Sequence, residues 1–122
     1  MYGERALHLH PGYYFAHINL GLVKAKQGKM DSATFHWLKA RELSPNEKQL
    51  PMLLSNSAVY YFNQGMKLYQ ASRYDSAIIH FNIAATLKPS DFEALYYLGL
   101  SYKKSGDTAK ARMMFSKGLS IV

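Results

Sequence analysis

Cysteine is absent from the chain, which excludes a disulfide framework and any thiolate metal site. Long apolar runs are absent too. Nothing approaches the roughly 18 consecutive apolar residues that mark a membrane-spanning helix, and residues 1–11 hold no apolar segment of signal-peptide type. Carboxylates are scarce, 8 against 15 lysines and arginines, which leaves little material for paired acid–base chemistry. No glycine-rich phosphate loop, nucleophile elbow or H-E-x-x-H stretch occurs. The net charge is +7, yet no block of five or six like charges exists, and basic residues concentrate only at Lys103, Lys104, Lys110, Arg112 and Lys117. These absences point away from an enzyme, from a cofactor or metal protein and from a membrane span. They fit a reducing, cytoplasmic compartment.

What the chain does contain is aromatic residues, above all 10 tyrosines, and a repeat. Glycines fall at Gly21, Gly65 and Gly99. Ala33, Ala77 and Ala111 each follow one of them by twelve residues. Four residues later stand Trp37, Phe81 and Phe115, and three beyond those Ala40, Ala84 and Gly118. Pro45 and Pro89 close two of the units, and Pro11 and Ala6 join the same grid 34 residues ahead of Pro45 and Ala40. The spacing has a physical reading. Small residues let two helix backbones approach, and an aromatic four residues after the alanine shares its helix face and fills the wedge beside them. Proline then ends the second helix, because it disfavours helical geometry in the residue before it. Gly28, Ser72 and Gly106 mark the turns inside the pairs.

These columns resemble the tetratricopeptide repeat, a helix–turn–helix unit of about 34 residues. Lys24, Gln64 and His17 depart from the family pattern at single places without disturbing the register. The resemblance implies an all-α fold, a right-handed superhelical solenoid of antiparallel hairpins. The chain divides into the tail of a preceding repeat at 1–11, a repeat at 12–45, an insertion at 46–57, a repeat at 58–91 and a third repeat at 92–122. Helices are expected at 2–10, 13–27, 30–43, 52–71, 74–87, 91–105 and 108–120, with 46–50 as a polar loop. The array starts inside a helix pair and runs out on Leu119, Ile121 and Val122. Repeat arrays need polar terminal faces, so we expect a longer protein or self-association through uncapped ends.

In such superhelices the first helix of each hairpin lines a concave groove, and the resemblance implies a scaffold that binds a protein or peptide there. Counting from each glycine places Phe15, Ile18, Asn19, Leu22 and Lys26 in the groove, followed by Phe62, Asn63, Met66, Tyr69 and Gln70. The third unit contributes Tyr96, Tyr97, Leu100, Lys103 and Lys104. Leu22 and Leu100 suit core or groove. Phe62, Met66, Tyr69 and Tyr96 are expected to form one continuous exposed apolar surface, since the hairpin seams have apolar columns of their own and a surplus stripe marks a binding site. Chaperone-adaptor members of the family grip a C-terminal carboxylate with a basic and amide clamp. The matching places here are Ile18, Leu22, Asn63, Glu93 and Tyr97, of which only Asn63 fits, so such a tail is disfavoured.

Other chemistry is weaker. His8 and His10 form an H-x-H with His17 nearby, but residues two apart on a helix diverge by about 200° and do not converge on a metal. His36 and His80 share one repeat column, and Asp31 and Asp75 stand at equivalent places beside second helices, where the helix dipole accounts for them. The competing functional class is nucleic acid or an acidic partner bound through the basic residues. Helical-repeat readers of RNA need a recurring polar code on the concave column, and Ile18, Phe62 and Tyr96 do not supply one.

Overall fold

The computed structural model describes residues 13–121. The expected helix at 2–10, the histidines at 8 and 10 and the final residue lie outside them. Six α-helices and no strand are present among the described residues: α1 Tyr14–Lys26, α2 Met30–Leu43, α3 Leu50–Gln70, α4 Tyr74–Leu87, α5 Phe92–Ser105 and α6 Thr108–Ile121. The fold is all-α, built from the helical hairpins that the repeat columns imply. Contacts group into two compact units, Met1–Leu54 and Ser55–Val122. The division falls within the 46–57 insertion.

Each hairpin turns in the same way. Gly28, Ser72 and Gly106 have φ of +77°, +60° and +99°. The next amide reaches back five residues: Lys29 N to Lys24 O at 2.9 Å, Arg73 N to Leu68 O at 2.9 Å and Asp107 N to Tyr102 O at 2.9 Å. This is the left-handed C-terminal cap that satisfies the last carbonyls of a helix. Glycine adopts that conformation freely, and serine does so only against a steric penalty. The second helices end differently. Ser44 and Lys88 swing to extended ψ of 82° and 84°, as the residue before a proline must, and Pro45 and Pro89 follow.

A single kind of contact joins the two helices of every hairpin. A methyl built on Gly65 would lie 2.7 Å from the Phe81 ring, and one on Gly99 would lie 2.5 Å from Phe115. Gly21 is blocked in the same way by the Trp37 indole. Each ring therefore occupies the space that a side chain would need. In the first unit Trp37 is 2% exposed and its indole N–H donates to the Ile18 carbonyl at 3.4 Å. In the second unit Phe81 is fully buried with Ala77 and Leu98, while Tyr61, Ala84, Ala85, Ala94 and Leu95 form a second cluster.

The insertion is more helical than its sequence suggested. α3 begins at Leu50, not at residue 52. Pro51 is tolerated there because its missing N–H would have no partner in a first turn. Leu50, Leu53 and Leu54 are buried in the first unit, which rewards that turn with apolar burial. α5 has a side-chain cap, with the Asp91 carboxylate accepting from the Glu93 and Ala94 amides at 3.1 and 3.3 Å. Asp107 caps α6 by accepting from the Lys110 amide at 3.1 Å. Asp31 and Asp75 lie inside the first turns of α2 and α4, where they complement the helix dipole.

The turn geometry predicts opposite outcomes for two substitutions. Gly106→Ala places a side chain in left-handed space and should lower stability by about 1 kcal/mol. Ser72→Gly relieves the same strain and should leave stability unchanged or raise it by up to about 1 kcal/mol. Urea denaturation of the two variants checks both signs.

Candidate functional site

Residues at i, i+4, i+7 and i+11 lie along one face of a helix. Each first helix keeps such a line open. On α1 it is Phe15, Asn19, Leu22 and Lys26, all exposed. On α3 it is Val59, Asn63, Met66 and Gln70, of which only Met66 is half-buried. On α5 it is Glu93, Tyr97, Leu100 and Lys104, with charged ends exposed and the middle pair half-buried. The α1 line belongs to the first unit and the other two to the second.

The remaining expected groove residues fall elsewhere. Ile18 is a correction: it is 2% exposed, packed inside the α1–α2 seam, and so offers no side chain to a groove. The expected surface of Phe62, Met66, Tyr69 and Tyr96 is divided. Phe62 is half-buried, with its ring centroid 5.6 Å from Phe81 and 5.9 Å from Tyr97. Tyr69 is half-buried beside Tyr97 at 5.8 Å and Tyr74 at 5.5 Å. Tyr97, not Tyr96, therefore meets the α3 aromatics. Tyr96 turns to its own hairpin and packs against Phe92 at 6.2 Å and Phe115 at 5.9 Å. The reason is the repeat itself. Tyr96 is to Phe115 what Phe62 is to Phe81, so an equivalent position puts it against an equivalent partner. Neighbouring residues on a helix point about 100° apart, and that rotation sends Tyr97 back to α3.

The basic cluster is partly engaged. Lys110 lies 5.6 Å from the Tyr102 ring centre and 3.9 Å from Asp107. Lys103, Lys104, Arg112 and Lys117 are exposed, and the first two sit in the last turn of α5, where the helix dipole favours cations. A polar pair went unrecognised in the sequence. His17 Nδ1 lies 3.0 Å from His36 Nδ1, and His17 is 4% exposed. The same two repeat columns hold Tyr61 and His80, 6.2 Å apart between ring centroids, in the second unit. Among the described residues no group of three or more metal-ligating side chains gathers. No described helix is long and apolar enough to cross a membrane.

This arrangement makes Phe62 a structural residue. Phe62→Ala should lower stability by about 3 kcal/mol, as truncation of a packed phenylalanine does, and a thermal or urea melt reads the loss.

Comparison with known proteins agrees with the architecture. The tetratricopeptide repeat family model matches residues 92–121, the α5–α6 hairpin. No curated protein matches the chain. Among solved structures, an arginine-to-glutamate mutant of MamA superposes with a TM-score of 0.50 and 27% sequence identity, over 98% of this chain and 80% of that one. The N-terminal domain of stress-induced protein-1 (STI-1) from C. elegans aligns with a TM-score of 0.44 and 22% identity, over 91% of this chain and 85% of that one. The α5–α6 hairpin thus matches the tetratricopeptide repeat, and the same glycine, alanine and aromatic columns run through the two hairpins before it.

Proposed function

We propose that the chain is a non-enzymatic scaffold that binds a peptide or helix of a partner protein in a groove formed by the open faces of α3 and α5 in the second unit. The observation that carries this is the open line Val59, Asn63, Met66 and Gln70 beside Glu93, Tyr97, Leu100 and Lys104. It alternates apolar and amide groups along its middle and carries opposite charges at the two ends of α5. The ring contacts of Tyr97 with Phe62 and Tyr69 hold the two helices side by side. At one end of this face a cavity of about 220 Å3 is lined by Val59, Phe62, Lys88, Asp91 and Glu93.

The mechanism follows from these side chains. Val59, Met66 and Leu100 supply apolar contact, worth about 1.5–3 kcal/mol for each side chain fully buried. The Asn63 and Gln70 amides each offer a donor and an acceptor to a partner's backbone. Glu93 and Lys104 stand eleven residues apart, about 16 Å along α5. A bound segment is thereby oriented, with its basic end toward Glu93 and its acidic end toward Lys104. A C-terminal carboxylate at the Glu93 end meets the wrong sign.

Affinity capture on the chain identifies a partner, which is then purified and titrated. Asn63→Ala and Met66→Ala should each weaken binding by about 1–2 kcal/mol, roughly five- to thirty-fold, with melting curves close to the parent. Affinity should depend weakly on salt. A steep salt dependence, the mark of counterion release, together with full affinity in both variants would replace the groove by the basic surface of α5–α6.

A further inference from the structure

The cavity at the Glu93 end of the groove joins two apolar side chains of α3, Val59 and Phe62, to three charged residues, Lys88 after α4 and Asp91 and Glu93 at the start of α5. Its volume of about 220 Å3 lies below the roughly 300–1,000 Å3 of small-molecule sites, so it suits one side chain and not a cofactor. Phe62 is a fixed wall, because its ring is held 5.6 Å from Phe81 and 5.9 Å from Tyr97. Glu93 is exposed and has no ion pair among the described residues, although Lys88 lines the same cavity. Asp91 spends one carboxylate oxygen on the amides of Glu93 and Ala94. The helix dipole accounts for an acidic residue in the first turn of α5, but not for a cavity with an aromatic wall beside it. In the same repeat column α1 has Phe15 and α3 has Val59, so Glu93 alone brings a carboxylate there.

We infer that this cavity receives the side chain of an arginine from the bound segment, an inference that rests on the proposed groove for its guest. Charge decides first. The two carboxylates outweigh Lys88 together with the roughly half positive charge of the α5 N-terminus, so the cavity is weakly negative in a chain whose net charge is +7. An acidic side chain is repelled. An apolar one would strip water from the Glu93 carboxylate and give it no partner. A cation remains, and the walls choose between the two kinds. The lysine ammonium is compact and strongly hydrated, whereas the guanidinium is planar, more weakly hydrated, stacks on aromatic rings and forks onto a carboxylate. Phe62 supplies the ring, Glu93 the carboxylate and Val59 an apolar contact for the methylene stem. Glu93 and Lys104 stand about 16 Å apart along α5, a distance that an extended segment spans in about five residues. An extended guest therefore carries its acidic residue about five positions from the arginine.

The test uses the whole chain, labelled with nitrogen-15, and N-acetyl-arginine N-methylamide as the probe, with the lysine and norleucine analogues beside it at matched ionic strength. The amide signals of Phe62, Lys88 and Glu93 should shift saturably with the arginine probe. The lysine probe should bind at least about two-fold more weakly, and norleucine should leave the signals in place. Glu93→Gln keeps the backbone amide that Asp91 caps and should weaken arginine binding at least about three-fold. Val59 is exposed, and α1 has phenylalanine at the equivalent place, so Val59→Phe should fill the cavity and abolish the shifts with a melting curve close to the parent. No saturation up to about 100 mM probe, equal binding to Glu93→Gln, or equal shifts with norleucine overturns the proposal. Asn63→Ala should leave probe binding unchanged while it weakens a partner. The groove can therefore fail at Asn63 with the arginine probe still bound, and the cavity can fail on the probe with partner binding still dependent on Asn63.

Discussion

An aromatic ring laid over a glycine holds each hairpin together, and the rest of the structure depends on it. Trp37, Phe81 and Phe115 occupy the volume in which a side chain at Gly21, Gly65 or Gly99 would sit. The contact sets how closely the two helices approach, and so why Ala33, Ala77 and Ala111 stand one turn before the rings and are buried beside them. It also explains why both partners are needed. A larger residue in place of glycine collides with the ring, and a smaller residue in place of the ring leaves a void that a close-packed interior does not refill. The left-handed turns at Gly28, Ser72 and Gly106 then only have to reverse the chain at a separation that the ring has already set.

Once that separation is set, rotation along each first helix assigns every side chain a task. A step of one residue moves the direction by about 100°. Tyr96 and Tyr97 illustrate the result. The first faces Phe115 inside its own hairpin, and the second reaches Phe62, Tyr69 and Phe81. Two tyrosines adjacent in the chain thereby serve different surfaces, one the α5–α6 hairpin and the other the contact between α3, α4 and α5. Phe62, Tyr69, Phe81 and Tyr97 are consumed by joining α3, α4 and α5. What remains open along α3 and α5 is a mixture of amide, charge and modest apolar area.

Helix identity and register were legible because they rest on local spacing. The small and aromatic columns, the prolines and the turn residues act within one hairpin, and α2 and α4 begin and end where those signals place them. Exposure was less legible, because it depends on what a neighbouring helix covers. Phe62 and Tyr69 share a helix face with Met66 by spacing, yet Tyr97 closes over the first two, and nothing local to α3 announces that. Ile18 reads as a groove residue by column, but its carbonyl receives the Trp37 indole and its side chain is enclosed with it. His17 and His36 are 19 residues apart, so proximity along the chain suggested His8 and His10 as its companions instead. The early start of α3 at Leu50 likewise comes from burial of leucines in the first unit, a tertiary reward that outweighs weak helix formers such as Ser55 and Asn56.

A double-mutant cycle on Gly65 and Phe81 tests the ring-on-glycine contact most directly. Alanine is better than glycine in a helix by about 1 kcal/mol, so Gly65→Ala should stabilise any helix whose neighbours leave room for a methyl. In the parent the ring leaves none, and forced overpacking costs about 1–3 kcal/mol. The account predicts that Gly65→Ala destabilises the parent and stabilises the Phe81→Ala background, a reversal of sign in urea unfolding free energies. An equal effect of Gly65→Ala in both backgrounds would contradict it, because residues that do not touch contribute additively.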